Sequence, residues 1–194
     1  QVLYAGSVSG GLWKSDNGGN DWNQVFGIEQ MMIGSIGITE NGHVYVGSGS
    51  LFEGGGGEGG SSFRGRGIYW SADGENFEMV EGTDPGEFGS GNFAAVDAMV
   101  ADPNDEDRVW FGCNAGFGFI ENGVMTMSPS NDINGAVADI AVAHDGSYML
   151  IGMGNCRVFR SEGNDFTSFY SVSGSNNDDT VLPQSGNGRV RVDI

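Results

Sequence analysis

The sequence is short of positive charge, proline, cysteine, histidine and long apolar runs, and each shortage removes a class of protein. Lys14 is its only lysine, and eight basic residues face 26 acidic ones for a net charge of −18. That balance repels phosphate backbones and anionic lipid at long range, so no nucleic-acid partner is expected. No apolar run approaches the roughly 18 residues of a spanning helix, so no membrane insertion is expected either. Four prolines without a Gly-x-y repeat exclude collagen. Cys113 and Cys156 leave two readings open, a disulfide between neighbouring units or two buried thiols. His43 and His144 have no Cys or His companions at zinc spacing. Gln1 opens the chain with no signal-peptide pattern, which fits a processed product or a fragment.

Glycine is what the chain has in excess, 36 of 194 residues. So much glycine works against helices and reads as many tight turns between short strands. Aromatic residues, 11% of the chain, supply bulk for sheets to pack against one another.

Those short strands recur. Val2-Leu3-Tyr4-Ala5-Gly6 precedes Gly11-Leu12-Trp13-Lys14-Ser15, and His43-Val44-Tyr45-Val46-Gly47 precedes Gly67-Ile68-Tyr69-Trp70-Ser71. Arg108-Val109-Trp110-Phe111-Gly112 and Tyr148-Met149-Leu150-Ile151-Gly152 repeat the pattern, each with its own following apolar run. The marker glycines Gly6, Gly47, Gly112 and Gly152 stand 41, 65 and 40 residues apart, near the 40 to 50 residues of a propeller blade. The long interval holds the glycine-rich tract 54–60, an insertion within an otherwise ordinary unit. A further apolar run precedes each later marker, ending in a turn such as Glu40-Asn41-Gly42 or His144-Asp145-Gly146. Four antiparallel strands per unit make a blade, and the fold class expected is an all-β propeller.

The turn after the third strand carries a signature. Ser15-Asp16-Asn17-Gly18-Gly19-Asn20-Asp21-Trp22 resembles the Asp-box, or bacterial neuraminidase repeat, Ser-x-Asp-x-Gly-x-x-Trp. Asn17 stands where that family has aspartate. Ser71-Ala72-Asp73-Gly74-Glu75-Asn76-Phe77 looks like a shortened copy with Phe77 for the tryptophan, and Ser161 to Phe166 a shorter one still. In such a box the Asp or Asn caps backbone N–H groups, glycine takes positive φ, and the aromatic covers the sheet. Ser15, Asn17, Gly19, Trp22, Ser71, Asp73, Gly74 and Phe77 are therefore structural candidates first. The run Ala101 to Gly112 is similar to blade starts in sortilin-like domains and secreted bacterial exo-enzymes.

The resemblance divides the chain into blades. Residues 1–31 hold strands two to four of a first blade, 32–94 a second with its insertion at 51–66, 95–135 a third and 136–186 a fourth. Residues 187–194 supply the first strand of a further or closing blade. This phase fits a small closed ring or a piece of a larger propeller, and the larger propeller is the expectation.

The family hosts several activities, and the residues restrict the choice. A sialidase needs an arginine cluster, and none of the arginines lies in the Arg-Ile-Pro type of motif. A xyloglucanase-like site needs two carboxylates across a cleft. Val8, in Ser7-Val8-Ser9-Gly10-Gly11, stands where that family carries one catalytic acid, and valine moves no proton. Asp97 and Asp139 look equivalent at the starts of two innermost strands, and they are the candidate acid–base pair if there is one. Asp102, Asp105 and Asp107 offer oxygen ligands for calcium without EF-hand spacing. The glycine tract lacks the Gly-Lys-Ser/Thr ending of a phosphate loop. A secreted or cell-surface binding or scaffolding module is therefore expected, taking a protein or glycan on loops of one face. Glu58, Phe63, Arg64 and Arg66 of the insertion are its candidate contacts. A glycoside hydrolase with groups partly outside this segment, or a structural repeat of an adhesin or secretion assembly, are the alternatives.

Overall fold

The computed structural model describes residues 1–28, 32–51, 63–86, 91–154, 156–163, 165–173 and 190–194, and among these there is no helix. The strands are β1 (Leu3–Ser7), β2 (Gly11–Ser15) and β3 (Asn23–Gln24), then β4 (Ile33–Ile38), β5 (Val44–Ser48), β6 (Ile68–Ser71) and β7 (Glu78–Met79). They continue as β8 (Val96–Ala101), β9 (Arg108–Cys113), β10 (Gly116–Glu121) and β11 (Val124–Met127). The last set is β12 (Val137–Val142), β13 (Tyr148–Met153), β14 (Val158–Glu162) and β15 (Tyr170–Ser171). They form one three-stranded sheet, β1–β3, and three four-stranded sheets, each antiparallel and in chain order. We number these sheets as blades 1 to 4. The first strands β4, β8 and β12 lie side by side at the centre.

The apolar cores lie between blades rather than within them. Leu12 of blade 1 packs with Val44, Val46 and Tyr69 of blade 2. Tyr45 and Ile68 meet Val109, Phe111 and Ile120 at the next junction, and Trp110 and Phe117 meet Met149, Ile151 and Phe159 at the last. A single sheet has no interior of its own, so each blade is stable only against its neighbours. This is why β5, covered on both faces, is buried along its whole length, with Val44, Tyr45 and Val46 apolar without alternation.

The marker glycines correct one expectation. None of the four has positive φ, so they do not serve turns. Each is the second-to-last residue of its strand, beside the first residues of the segment that follows. A Cβ at Gly6 would stand 2.5 Å from Ile33 Cγ2, and one at Gly47 2.6 Å from Val96 Cγ1. At Gly112 it would strike Val137, and at Gly152 it would stand 2.7 Å from Val190 O. Residues 190–194 thus lie beside blade 4 as Ile33, Val96 and Val137 lie beside the blades before them.

Other glycines do serve turns. Asn122 and Gly123, with φ of 49° and 77°, make the two-residue hairpin joining β10 to β11.

Candidate functional site

Antiparallel order gives each blade two ends. The upper face carries the starts of the inner strands and the loops between second and third strands; the lower face carries the remaining turns. Of the expected contact and catalytic residues, Phe63, Arg64, Arg66, Asp97 and Asp139 lie on the upper face; the calcium candidates and the box turns lie on the lower.

Each inner strand opens with a bulge, between Ile33 and Ser35, Val96 and Ala98, and Val137 and Asp139. With the bulges aligned, Asp97 is level with Gly34 and Ala138, whereas Asp139 is level with Ser35 and Ala98. The two acids are one residue out of step, not equivalent as the sequence suggests. They also point away from each other. Asp97 reaches back to blade 2, accepting from Ser50 Oγ at 2.6 Å and Leu51 N at 3.3 Å. Asp139 reaches forward, accepting from Val192 N at 3.0 Å and pairing with Arg191 at 3.4 Å. Each carboxylate uses both oxygens as ties between neighbouring segments.

What Asp97 ties down is the stem of the insertion. Ser50 and Phe63 exchange backbone hydrogen bonds of 2.7 and 2.9 Å, closing the stem as an antiparallel bridge. Ser48 Oγ donates to Gly67 O at 2.7 Å and accepts from Arg66 N at 2.8 Å. Gly49 N donates to Met32 O at 2.8 Å and Gly65 N to Ala94 O at 2.7 Å, anchoring both stem strands to their surroundings. The crossing is backbone on backbone: a Cβ on Gly34, Gly49 or Gly65 would collide with main-chain atoms. Above this stem Phe63 and Arg64 are exposed, while Arg66 is half-buried with its Nε 3.8 Å from Asp84. Glu58 and the rest of 52–62 lie outside the described residues.

On the lower face the calcium candidates do not converge. Among the described residues no three His, Cys, Asp or Glu side chains are grouped for a metal. Asp102 and Asp105 instead turn to Arg108, at 3.5 and 3.0 Å, with Glu121 at 2.8 Å and the Phe119 ring 4.5 Å from the guanidinium. Burial pushes the Asp102 carboxyl above its usual value, against the pull of Asn104 N–H and Arg108. Asp107 accepts from Asn41 Nδ2 of blade 2 at 2.7 Å and lies 3.7 Å from His43. These acids hold turns and blade junctions.

The box residues are caps. Ser15 Oγ accepts from Gly19 N at 2.8 Å, and Asn17 Oδ1 from Asp21 N at 2.9 Å. In blade 2, Gly74 N donates to Ser71 Oγ at 2.9 Å, and Asn76 N and Glu75 N donate to Asp73 Oδ1 at 2.8 and 2.9 Å. These donors, Asn76 foremost, hold the Asp73 carboxyl far below the ordinary aspartate range. Gly18, Gly19 and Gly74 take positive φ. Phe77 packs into the junction core, and Trp22 is partly exposed with its indole N–H on Gly19 O at 3.1 Å.

The chain matches no protein-family model and no curated protein. Solved structures do resemble it. One is the extracellular domain of a one-component system from B. thetaiotaomicron, with TM-score 0.67 and 17% identity over 95% of this chain and 22% of that one. Another is the GH74 xyloglucanase from Xanthomonas campestris, with TM-score 0.60 and 15% identity over 90% of this chain and 29% of that one. A third is YCF48 bound to D1 peptide, with TM-score 0.54 and 12% identity over 88% and 49%. The fold is a β-propeller. The chain spans less than half the length of each of these three, and at such identities the likeness carries fold alone. No helix among the described residues is long and apolar enough to cross a membrane.

Sequence reasoning missed Ser50 and Arg191, the partners of the two acids. It also missed the crossing of Gly34, Gly49 and Gly65. Their only signal was position, a serine just past a marker glycine and an arginine in the closing run 187–194, and neither type is unusual there.

Proposed function

We propose that the chain is an Asp-box propeller segment of a secreted or cell-surface protein, and that its upper face binds a protein or glycan. The observation that carries this reading is the insertion stem. A loop of irregular length is held over the start of the inner strands by Asp97, Ser48, Ser50 and close-packed glycines. Such a base is costly in backbone constraint, and its value is to present Phe63 and Arg64 from a fixed place. The acids speak for binding over catalysis, since each is engaged as a tie and they face apart rather than across a cleft. The box caps support the Asp-box family, and the extracellular domain among the similar folds supports the location.

The test takes the full natural protein through a polysaccharide hydrolysis panel and through binding assays with glycans and extracellular proteins. Binding without turnover, lost in Phe63→Ala and Arg64→Ala, is expected. Hydrolysis abolished by Asp97→Ala or Asp139→Ala, in chains that remain folded, would replace the binding module with an enzyme.

A further inference from the structure

The outer corner between blades 1 and 2, remote from the insertion stem, forms a cavity of about 410 Å3. Lys14, Asp16, Asn23, Gln24, Val25, Phe26 and Glu75 line it. We propose that this corner binds a neutral sugar ring, a reading that rests on the chain being a binding propeller but uses a different surface from the upper face.

Phe26 makes the apolar side. It is 78% exposed, more than any other large hydrophobic residue among those described. Val25 and Ile28 pack against the core between the blades; Val25 also lines the cavity, and Phe26 is its solvent-open apolar residue. The other side is polar. Lys14 Nζ is held between Glu75 Oε1 and Asp16 Oδ1, the latter at 3.4 Å. Both carboxylates are about two-thirds open to solvent, at 66% and 65%. Their remaining lone pairs accept, and the Asn23 amide both donates and accepts, whereas the Gln24 amide is turned to Gly10 O at 3.4 Å. A pyranose matches this division, with a C–H face to lie on an aromatic ring and hydroxyls that give and take hydrogen bonds at its edge. The volume lies within the ordinary range for small-molecule sites, roughly 300–1,000 Å3.

Charge narrows the ligand further. Two carboxylates against one ammonium leave the corner net negative within a chain of net charge −18. Uronate, sulfate and phosphate groups are therefore disfavoured, and a neutral glycan is the fit. The corresponding corner of blade 2 shows what the site requires. It encloses about 400 Å3, and Trp70 takes the place of Lys14 there. The Trp70 ring is already stacked on Tyr45, centroids 6.1 Å apart, and a Cβ at Gly123 would touch it at 2.6 Å. That ring is packed against Tyr45 and only partly open. Phe26 has its face open.

The experiment titrates the full natural protein with neutral cello-, xylo-, manno- and galacto-oligosaccharides by calorimetry, alongside uronate and sulfated chains and a basic peptide. At least one neutral series is expected to bind, about tenfold or more weakly once Phe26→Ala removes the aromatic anchor. Phe26 is too exposed for that change to disturb folding, which circular dichroism checks, and Asn23→Ala gives a second, independent loss. Phe63→Ala and Arg64→Ala are expected to leave this binding unchanged. The inference is overturned if no neutral oligosaccharide binds, if only the anionic chains or the basic peptide bind, or if Phe26→Ala binds as well as the parent. Glycan binding lost in Phe63→Ala but kept in Phe26→Ala would also overturn it, while leaving the upper-face reading in place.

Discussion

The junction between blades 2 and 3 and the junction between blades 3 and 4 solve one problem in two ways. Tyr45 and Trp110 hold the same place, two residues before a marker glycine, and both reach the outer turn of the next blade. Tyr45 does so with a hydrogen bond, its hydroxyl accepting from Gly123 N at 3.2 Å. Tyr4, one blade earlier, donates to Gly74 O at 3.2 Å in the same manner. Trp110 makes no such bond. Its buried indole N–H has no partner, and the ring sits instead among Phe117, Phe119 and Phe166 at centroid distances of 5.4, 5.6 and 6.5 Å. The position demands a large ring that spans the gap between blades. Whether the far end is satisfied by a polar bond or by aromatic packing depends on what the next turn offers.

The largest expected effect breaks the aromatic junction. Trp110→Ala should cost about 3–5 kcal/mol in urea unfolding of the full protein, because the cavity left between two rigid sheets closes poorly. The marker glycines come next. Gly47→Ala and Gly112→Ala should each cost about 1–3 kcal/mol, by forcing apart a strand and the β-branched residue beside it. Equal losses at the two sites would show that this contact is common to both junctions. Tyr45→Phe should cost about 1 kcal/mol, by leaving the Gly123 N–H without its acceptor. Trp110→Phe loses no hydrogen bond, so a double-mutant cycle with the facing turn should find polar coupling at the first junction only.

The smallest effect is in pH. Asp73 has a folded pKa far below its unfolded value of about 3.9, so its contribution is full above that value and fades as pH falls toward the folded one. Asp102 has the opposite sign: burial raises its folded pKa, so ionisation above about 3.9 works against folding there. Stability measured against pH should therefore fall less steeply on the acid side in Asp73→Asn than in the parent. An unchanged acid limb would mean that the box is not a charge-dependent cap.

Much of this fold was legible in the chain. The spacing of Gly6, Gly47, Gly112 and Gly152, the apolar runs around them and the box at Ser71 to Phe77 are local features, and each marks a strand or turn where the structure has one. The site was less legible, for a physical reason. Asp97 is the extra residue of the bulge in its inner strand and Asp139 is the residue just after the extra one, so the two acids part by one position in space, and composition does not mark which residue of the run is the extra one. Their partners Ser50 and Arg191 are 47 and 52 residues away along the chain. A tie over that distance follows from how the blades are stacked, and no local pattern encodes it. Phe26 was invisible for a related reason, since Val-Phe-Gly-Ile reads as a short buried run until the neighbouring blade shows which side chains it covers.

By itself the sequence determined the unit: strand length, turn chemistry and the number of repeats, all set by backbone preferences acting over a few residues. Tertiary structure alone decided what the units are for. An isolated blade has two apolar faces and no core, so the meaning of its glycines, acids and aromatics arises only where one sheet meets the next.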